Sequence, residues 1–393
     1  MKINKESTER AFAKGSDTAF LVMSPFQLLC ALEAIETFDI KNFYLEFVFV
    51  KEYKHRNEQM IQMAKQMQID YAISYTDDIS IDSLYQQNAT IPSKASCLYS
   101  RVFIGDYNSK HLHVEAFRLA QEGGCILYLD DGTSTICLLK GIFNNGDINS
   151  WVEKYKAFKY KRGTNKLHRL IQEKMRKNGV DLFDGFYTMY DEVSNTKYHL
   201  YPNNFDRLRN TKQRIMSDNY LVCIIGTAIA EFSESVLREN EEVLESIIWN
   251  KLCKIKRKYS TCKIIYVPHP RDNNSVVPNF CKILNIEYLK INESVESFLL
   301  KSPCRIKAIW GFGSTALGVL RKLFKDTEIV NISISKGTTT KIYDVIYQYY
   351  SIIGIELEEV KLLDSEGKTN TLLNFIRNIK DFSSFVLSKI TNH

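Results

Sequence analysis

An α/β protein with two parallel sheets is what this sequence predicts, and three observations predict it. Short, almost wholly apolar runs of five to eight residues alternate with helix-length amphipathic stretches, the signature of strands buried on both faces by crossover helices. The alternation stops in a polar stretch at 198–217 and then restarts. The chain is also long: 393 residues exceed one ordinary domain. The boundary is accordingly expected near residue 215, giving domains 1–215 and 216–393.

In the first half, a strand is expected over 19–23, broken by Ser24-Pro25, with a helix over 26–37. Strands over 43–50 and 71–75 flank a polar helix over 57–68. A strand over 98–104 runs into Gly105-Asp106-Tyr107-Asn108, and a helix over 111–121 leads to Gly123-Gly124, read as a turn. The run Cys125 to Leu129 is a further strand, ending in Asp130-Asp131-Gly132. In open α/β sheets ligands bind outside the carboxyl ends of the strands, so these carboxylates stand where chemistry is done. Asp-Asp-Gly is equally an ordinary turn with Asx hydrogen bonds.

In the second half, a strand over 220–225 ends in Gly226-Thr227 and a helix is expected over 233–259. The helix closes on Lys251, Lys254, Lys256, Arg257 and Lys258, which suit the negative end of its dipole. A strand over 262–267 enters Pro268-His269-Pro270-Arg271, whose prolines stiffen the backbone around the histidine. A short strand over 286–289 and a helix over 294–300 follow. Next come a strand over 305–310, the turn Gly311-Phe312-Gly313-Ser314-Thr315, a helix over 316–324 and a last strand over 328–333. That glycine turn feeds a helix N-terminus, where free N–H groups and hydroxyls suit a phosphate or simply cap the helix. It lacks the lysine of a P-loop and the spacing of a dinucleotide fingerprint.

Composition bounds the rest. Apolar residues at 45% and charged residues at 25% are globular values, and a net charge of +6 does not by itself call for nucleic acid. Nine cysteines, none in a CxxC pair, read as buried thiols in a reducing compartment, which places the protein in the cytoplasm. The one long apolar stretch near the start, 18–35, is interrupted by Ser24, Pro25, Gln27 and Glu33 and falls short of a membrane helix; the first 17 residues form a polar, mixed-charge leader. Between 154 and 177, ten lysines and arginines face only Glu173, with Tyr155, Phe158 and Tyr160 interleaved. This is either a solvated helix face or a surface for an anionic membrane or acceptor. Leu372, Ile376, Ile379, Phe382, Val386 and Ile390 recur at helical spacing, a stripe expected to pack on the core or back onto the first domain. No third ligand stands at informative spacing from the acidic pair, and no metal site is expected.

Taken together, a strand ending in Asp-Asp-Gly, a later strand ending in His-Pro, and a Ser-Thr pair before a helix resemble the motif set of bacterial sialyltransferases. The opening FLVMSPFQLLCALEAI is similar to that of the lipooligosaccharide sialyltransferases of glycosyltransferase family 52 and related polysialyltransferases. The resemblance implies a GT-B fold, with two Rossmann-like domains facing across a cleft. It also implies an inverting, metal-independent transfer of sialic acid from CMP-sialic acid to a galactose-type hydroxyl of a bacterial surface glycan: lipopolysaccharide, O-antigen or capsule. Asp131 would be the general base, and His269 would meet the donor phosphate and assist departure of CMP. Pro270, Gly313, Ser314 and Thr315 would line the phosphate, with Gly226 and Thr227 along the nucleotide. Ser24, Gln27, Asp130 and Gly132 fall on the acceptor side. Two departures stand out: Thr133-Ser134-Thr135 replaces a serine directly after the glycine, and Ser314-Thr315 replaces a serine pair. The competing readings are a GT-B enzyme using another CMP- or UDP-activated sugar and a non-catalytic glycan-binding protein. The implied partners are a nucleotide-sugar donor, a galactose-terminated or lipid-linked acceptor, and the inner face of the membrane through 154–177; nucleic acid is not among them.

Overall fold

The computed structural model describes residues 17–76, 99–106, 109–140, 184–193, 199–210, 218–237, 240–335 and 341–361. The leader, the basic run 154–177 and the apolar stripe 372–390 lie outside the described residues. The chain divides into two compact units, Met1–Asn210 and Thr211–His393.

The first unit is a seven-stranded, wholly parallel sheet in the order β3-β2-β1-β4-β5-β6-β7. Its strands are β1 (Thr18–Val22), β2 (Phe43–Phe49), β3 (Ala72–Tyr75), β4 (Tyr99–Ile104), β5 (Ala120–Leu129), β6 (Gly185–Thr188) and β7 (Leu200–Pro202). Helices α1 (Pro25–Thr37), α2 (Lys54–Gln66), α3 (Lys110–Leu119), α4 (Thr133–Leu139) and α5 (Asp206–Asn210) connect them. β1 is buried along its whole length because crossover helices on a parallel sheet cover both faces. Phe20 on β1 stacks on Phe103 of β4 with ring centroids 4.8 Å apart, tying the two central strands. α1 starts where the sequence predicts a break: Pro25 needs no N–H partner in the first turn, and the Gln27 N–H donates to the Ser24 hydroxyl at 3.2 Å. The buried Glu33 of α1 accepts the N–H groups of Arg207 and Leu208 at 2.9 and 2.8 Å, so α1 caps α5 in turn.

The second unit repeats the plan with six parallel strands in the order β10-β9-β8-β11-β12-β13. These are β8 (Tyr220–Ile225), β9 (Lys263–Val267), β10 (Glu287–Tyr288), β11 (Arg305–Gly311), β12 (Glu328–Ser335) and β13 (Glu356–Lys361). Its helices are α6 (Ile229–Phe232), α7 (Glu241–Lys258), α8 (Val276–Ile283), α9 (Val295–Leu300), α10 (Ala316–Leu323) and α11 (Lys341–Ile352). The core gathers Val222 and Ile224 from β8, Ile248 and Leu252 from α7, Phe280 from α8 and Trp310 from β11. α7 carries Glu241 and Glu242 in its first turn and Lys256, Arg257 and Lys258 in its last, in the sense the dipole favours.

Four sequence expectations are corrected. Gly123-Gly124 is not a turn but lies within β5, where the register to β4 slips between Tyr99 and Arg101; a Cβ on Gly124 would stand 3.0 Å from two backbone carbonyls. The polar stretch after 198, where the alternation was expected to stop, holds β7 and α5. The single helix over 233–259 is α6 running into a π-helical turn, Ser233–Leu237, and then a separate α7. β12 is followed by α11 and the edge strand β13, so it is not the last strand. Two parallel Rossmann-like units in succession are the components of the GT-B fold.

Among the described residues no helix is long and apolar enough to cross a membrane. The described cysteines are free thiols, with Cys30, Cys137, Cys223 and Cys281 buried as expected and Cys125 exposed against expectation.

Candidate functional site

Both sheets reverse their strand order at the same place, between β1 and β4 in the first unit and between β8 and β11 in the second. At such a switch point the loops leaving the two central strands turn to opposite faces and open a crevice at the carboxyl edge. The candidate site residues Ser24, Gln27, Asp130, Asp131, Gly132, Gly226, Thr227, His269, Pro270, Gly313, Ser314 and Thr315 lie in loops at one of these two edges or in the first turn of the helix that follows.

In the first unit, β5 ends and Asp130 turns inward. It is fully buried; the Thr188 hydroxyl donates to Oδ1 at 2.6 Å and the Met189 N–H to Oδ2 at 2.7 Å. Two short charge-assisted bonds to the end of β6 fix the loop and occupy both oxygens. Asp130 is expected to orient either the loop or the acceptor, and as a carboxylate with no exposed surface it orients the loop. Gly132, at φ 58° and ψ −131°, takes a backbone conformation that a side chain would obstruct, and this reverses the chain into α4.

Asp131 is left at the edge, partly buried. Its backbone N–H donates to the Thr135 hydroxyl at 2.9 Å, and its Oδ1 accepts from the side-chain amide of Gln27 at 2.7 Å. Oδ2 has no hydrogen-bond partner among the described residues. Burial and the nearby Asp106 carboxylate push the Asp131 carboxyl up to about 6, against the opposing pull of the Gln27 amide and the Arg56 guanidinium. Gln27, expected on the acceptor side, is 2% exposed, and what its side-chain amide donates to is Asp131. The Ser24 hydroxyl is engaged in capping α1. Asp106 was legible as a polar residue after a strand, and Thr135 as a departure from the motif. Arg56, from the first turn of α2 and ahead of the helix expected over 57–68, and Thr188, from a strand of four residues, gave no sequence signal.

In the second unit, His269 follows β9 and is partly buried. The Arg271 N–H donates to its Nδ1 at 3.2 Å, which puts the ring proton of the neutral imidazole on Nε2. Burial and the charge of Arg271 hold its pKa below the usual histidine value, while Glu231 pulls the other way. Glu231 also meets the Arg271 guanidinium at 3.1 Å. Gly226 closes β8, its N–H donating to the Val267 carbonyl at 2.8 Å; a Cβ there would sit 2.4 Å from the buried Tyr266 hydroxyl. Thr227 follows, partly exposed, and Pro270 is exposed beside the histidine.

The turn after β11 has Gly313 at φ 66°, and its N–H is taken by the buried Asn331 side chain of β12 at 3.1 Å. That donor is therefore unavailable to a phosphate, contrary to the sequence reading. The Ser314 carbonyl accepts the Tyr350 hydroxyl of α11 at 2.6 Å. Thr315 stands at the N-cap of α10 without a capping bond from its side chain, so its hydroxyl is not committed to the helix. A pocket of about 160 Å³ opens beside Arg271 between 228–231 and 271–274; it adjoins the His269 loop but is not lined by Thr227, Ser314 or Thr315. Among the described residues no group of three or more His, Cys, Asp and Glu side chains is arranged to hold a metal ion.

The sequence matches no family profile and no curated protein. Its chain path is similar to that of solved structures of low identity. Acinetobacter baumannii MurG shares 8% identity over 93% of this chain and 91% of that chain, with a TM-score of 0.43. MnaA of S. aureus, solved with UDP, shares 12% over 93% and 87%, with a TM-score of 0.44. The UDP-GlcNAc 2-epimerase of Neisseria meningitidis, bound to UDP-GlcNAc, shares 12% over 94% and 92%, with a TM-score of 0.41. These are likenesses of overall chain path, and the chemistry of this protein rests on its own residues.

Proposed function

We propose that this protein is a glycosyltransferase that moves a sugar from a nucleotide donor to a hydroxyl acceptor with inversion, using Asp131 as general base. The observation that carries the reading is the state of Asp131: a carboxylate at a switch-point edge, held through Oδ1, with Oδ2 unpartnered among the described residues and its carboxyl pushed up to about 6. Near pH 7 it is mostly ionised, yet holds a proton better than a solvated carboxylate, which is what a base for a sugar hydroxyl requires. As the acceptor oxygen attacks the anomeric carbon, its proton passes to Oδ2 and the bond to the nucleotide phosphate breaks on the opposite face. His269, neutral and carrying its proton on Nε2, donates a hydrogen bond to the departing phosphate; the Ser314 and Thr315 hydroxyls supply further donors. The reading requires Asp131 and His269 to serve the same bond.

Within that class CMP-sialic acid is the donor to try first, on the strength of the Asp-Asp-Gly, His-Pro and Ser-Thr motifs. A galactose-terminated bacterial surface glycan is the corresponding acceptor. Another CMP- or UDP-sugar is the competing donor, since no residue described here reads the base. Contact with anionic lipid through 154–177 belongs to the same proposal, and binding to anionic vesicles that weakens with salt is its expected sign.

The test is nucleotide release by purified protein from CMP-sialic acid and from UDP-sugars, with and without galactose-terminated acceptors, with EDTA present. Acceptor-dependent CMP release that survives EDTA supports the sialyltransferase reading and its freedom from metal. Turnover of a UDP-sugar alone keeps the reaction class and replaces the donor. No release from any donor refutes the enzyme.

A further inference from the structure

We propose that Gln27 is the positioning residue of Asp131, and that Gly105 is glycine so that the Gln27 side chain can pass. The inference rests on Asp131 being the base, but its physical content does not depend on which donor is used.

The orientation of the Gln27 amide follows from what it touches. Its Oε1 accepts the Met23 N–H at 2.7 Å, at the end of β1. A backbone N–H can only donate, so the carbonyl end must face Met23 and the NH₂ end must face Asp131, where Nε2 donates to Oδ1 at 2.7 Å. The side chain is 2% exposed and its backbone is pinned by the Ser24 cap, so neither end has water as an alternative partner. The amide thus spans from the last residues of β1 to the loop after β5, crossing the end of β4 between them. What lies at that crossing is Gly105, whose N–H is bonded to the Leu21 carbonyl of β1 at 3.0 Å. A Cβ on Gly105 would stand 2.2 Å from Gln27 Oε1 and 2.4 Å from Cδ, closer than any real contact. The glycine is a gap in the sheet edge through which one side chain reaches the base.

The consequence for chemistry is twofold. With Oδ1 held, the carboxylate cannot rotate freely, and Oδ2 is the oxygen presented for the proton. The amide donor also favours the ionised form against burial and the Asp106 charge, on the same side as Arg56 from α2; the neighbouring Asp130 has both its oxygens bonded to the end of β6. Removing the amide leaves burial and Asp106 opposed by Arg56 alone.

The experiment follows the ionisation of Asp131 in two ways. In Gln27→Met the acid limb of kcat/KM should move up by about one pH unit, with activity near pH 6 falling about fivefold and recovering toward pH 8. Gly105→Ala should move it in the same direction with both partners unsubstituted, and the double variant should move it no further than the larger single change, because both break one bond. Gln27→Glu sets a second carboxylate against Asp131 and should shift the limb further still. The readout that needs no substrate is the difference in unfolding free energy between Asp131 and Asp131→Asn proteins as a function of pH. Its midpoint should lie between the unfolded value of 3.8 and the folded value of about 6 with Gln27 present, and should move up in the Gln27→Met background. A midpoint that moves while no donor is turned over sustains the inference and refutes the glycosyltransferase reading. A midpoint that stays where it is in both Gln27→Met and Gln27→Glu overturns the inference whatever the activity.

Discussion

The two units share a plan and differ in what stands at its edge. Each has a central strand pair, β1/β4 or β8/β11, with the order reversing between them. Each also has a glycine that a neighbouring side chain forbids to be anything larger: Gly105 against Gln27 and Gly226 against the Tyr266 hydroxyl. The first unit nevertheless presents carboxylates, Asp131 and Asp106, under an amide and a guanidinium. The second presents a neutral imidazole, uncommitted hydroxyls and a glycine turn. The repeated scaffold supplies the place, and the loop residues set its chemistry: carboxylates in one unit, for which we propose the proton acceptor, and an imidazole and hydroxyls in the other, for which we propose the hydrogen-bond donors. This division of roles can be broken at either edge.

The largest effect is expected at the acidic edge. Asp131→Asn removes the base while keeping shape and the Gln27 contact, and activity should fall by roughly 10²- to 10⁴-fold, measured as acceptor-dependent nucleotide release. His269→Ala, at the other edge, removes one donor to the leaving group and should cost roughly 10²-fold in kcat. A larger loss in the histidine variant would invert the comparison and make leaving-group departure the harder half of the reaction.

The pH profile sharpens it. Activity should fall below about pH 6 as Asp131 takes up its proton, and Asp131→Asn should abolish that limb. The His269 pKa is lowered below the usual histidine value, so the imidazole contributes no second fall above pH 7.

Stability gives a smaller and independent reading. Asp130→Ala strips both bonds to Thr188 and Met189 and leaves a buried hydroxyl and an N–H unsatisfied, at a cost of about 2–4 kcal/mol in denaturant unfolding. Gly226→Ala should cost about 1–3 kcal/mol by overpacking against Tyr266. Asp131→Asn should do the opposite. Because the folded carboxyl titrates at about 6 rather than 3.8, the folded state binds the proton more tightly. The group therefore favours folding below pH 3.8, and that contribution is lost as pH rises through 6. Replacing it should stabilise the protein by on the order of 2 kcal/mol at about pH 7 and by little at about pH 3.5.

Much of this was legible along the chain. The buried strands β1, β2, β4, β8, β9 and β11 announce themselves as largely apolar runs, because a strand covered on both faces has few polar positions to offer. Asp131, His269 and Ser314 were found as polar residues where such runs end. What escaped was short or shared. β6 and β7 are strands of four and three residues, too brief for any period to register, and β6 and the residue after it hold the partners of Asp130. The glycines of β5 read as a turn because glycine serves a turn and a close strand contact equally well.

By itself the sequence determined that the protein is α/β, that its pattern runs twice, and which polar residues stand at strand ends. Hydrophobic periodicity is a local property, and nearest neighbours suffice to express it. Only the tertiary structure showed how differently the two adjacent aspartates are held, Asp130 buried with both oxygens bonded and Asp131 at the edge with Oδ1 held. The deciding partners, Gln27, Gly105 and Thr188, are brought to Asp130 and Asp131 from three other segments of the sheet edge. A carboxylate's pKa and orientation are set by what surrounds it in space, and 104 residues separate Asp131 from the amide that holds it.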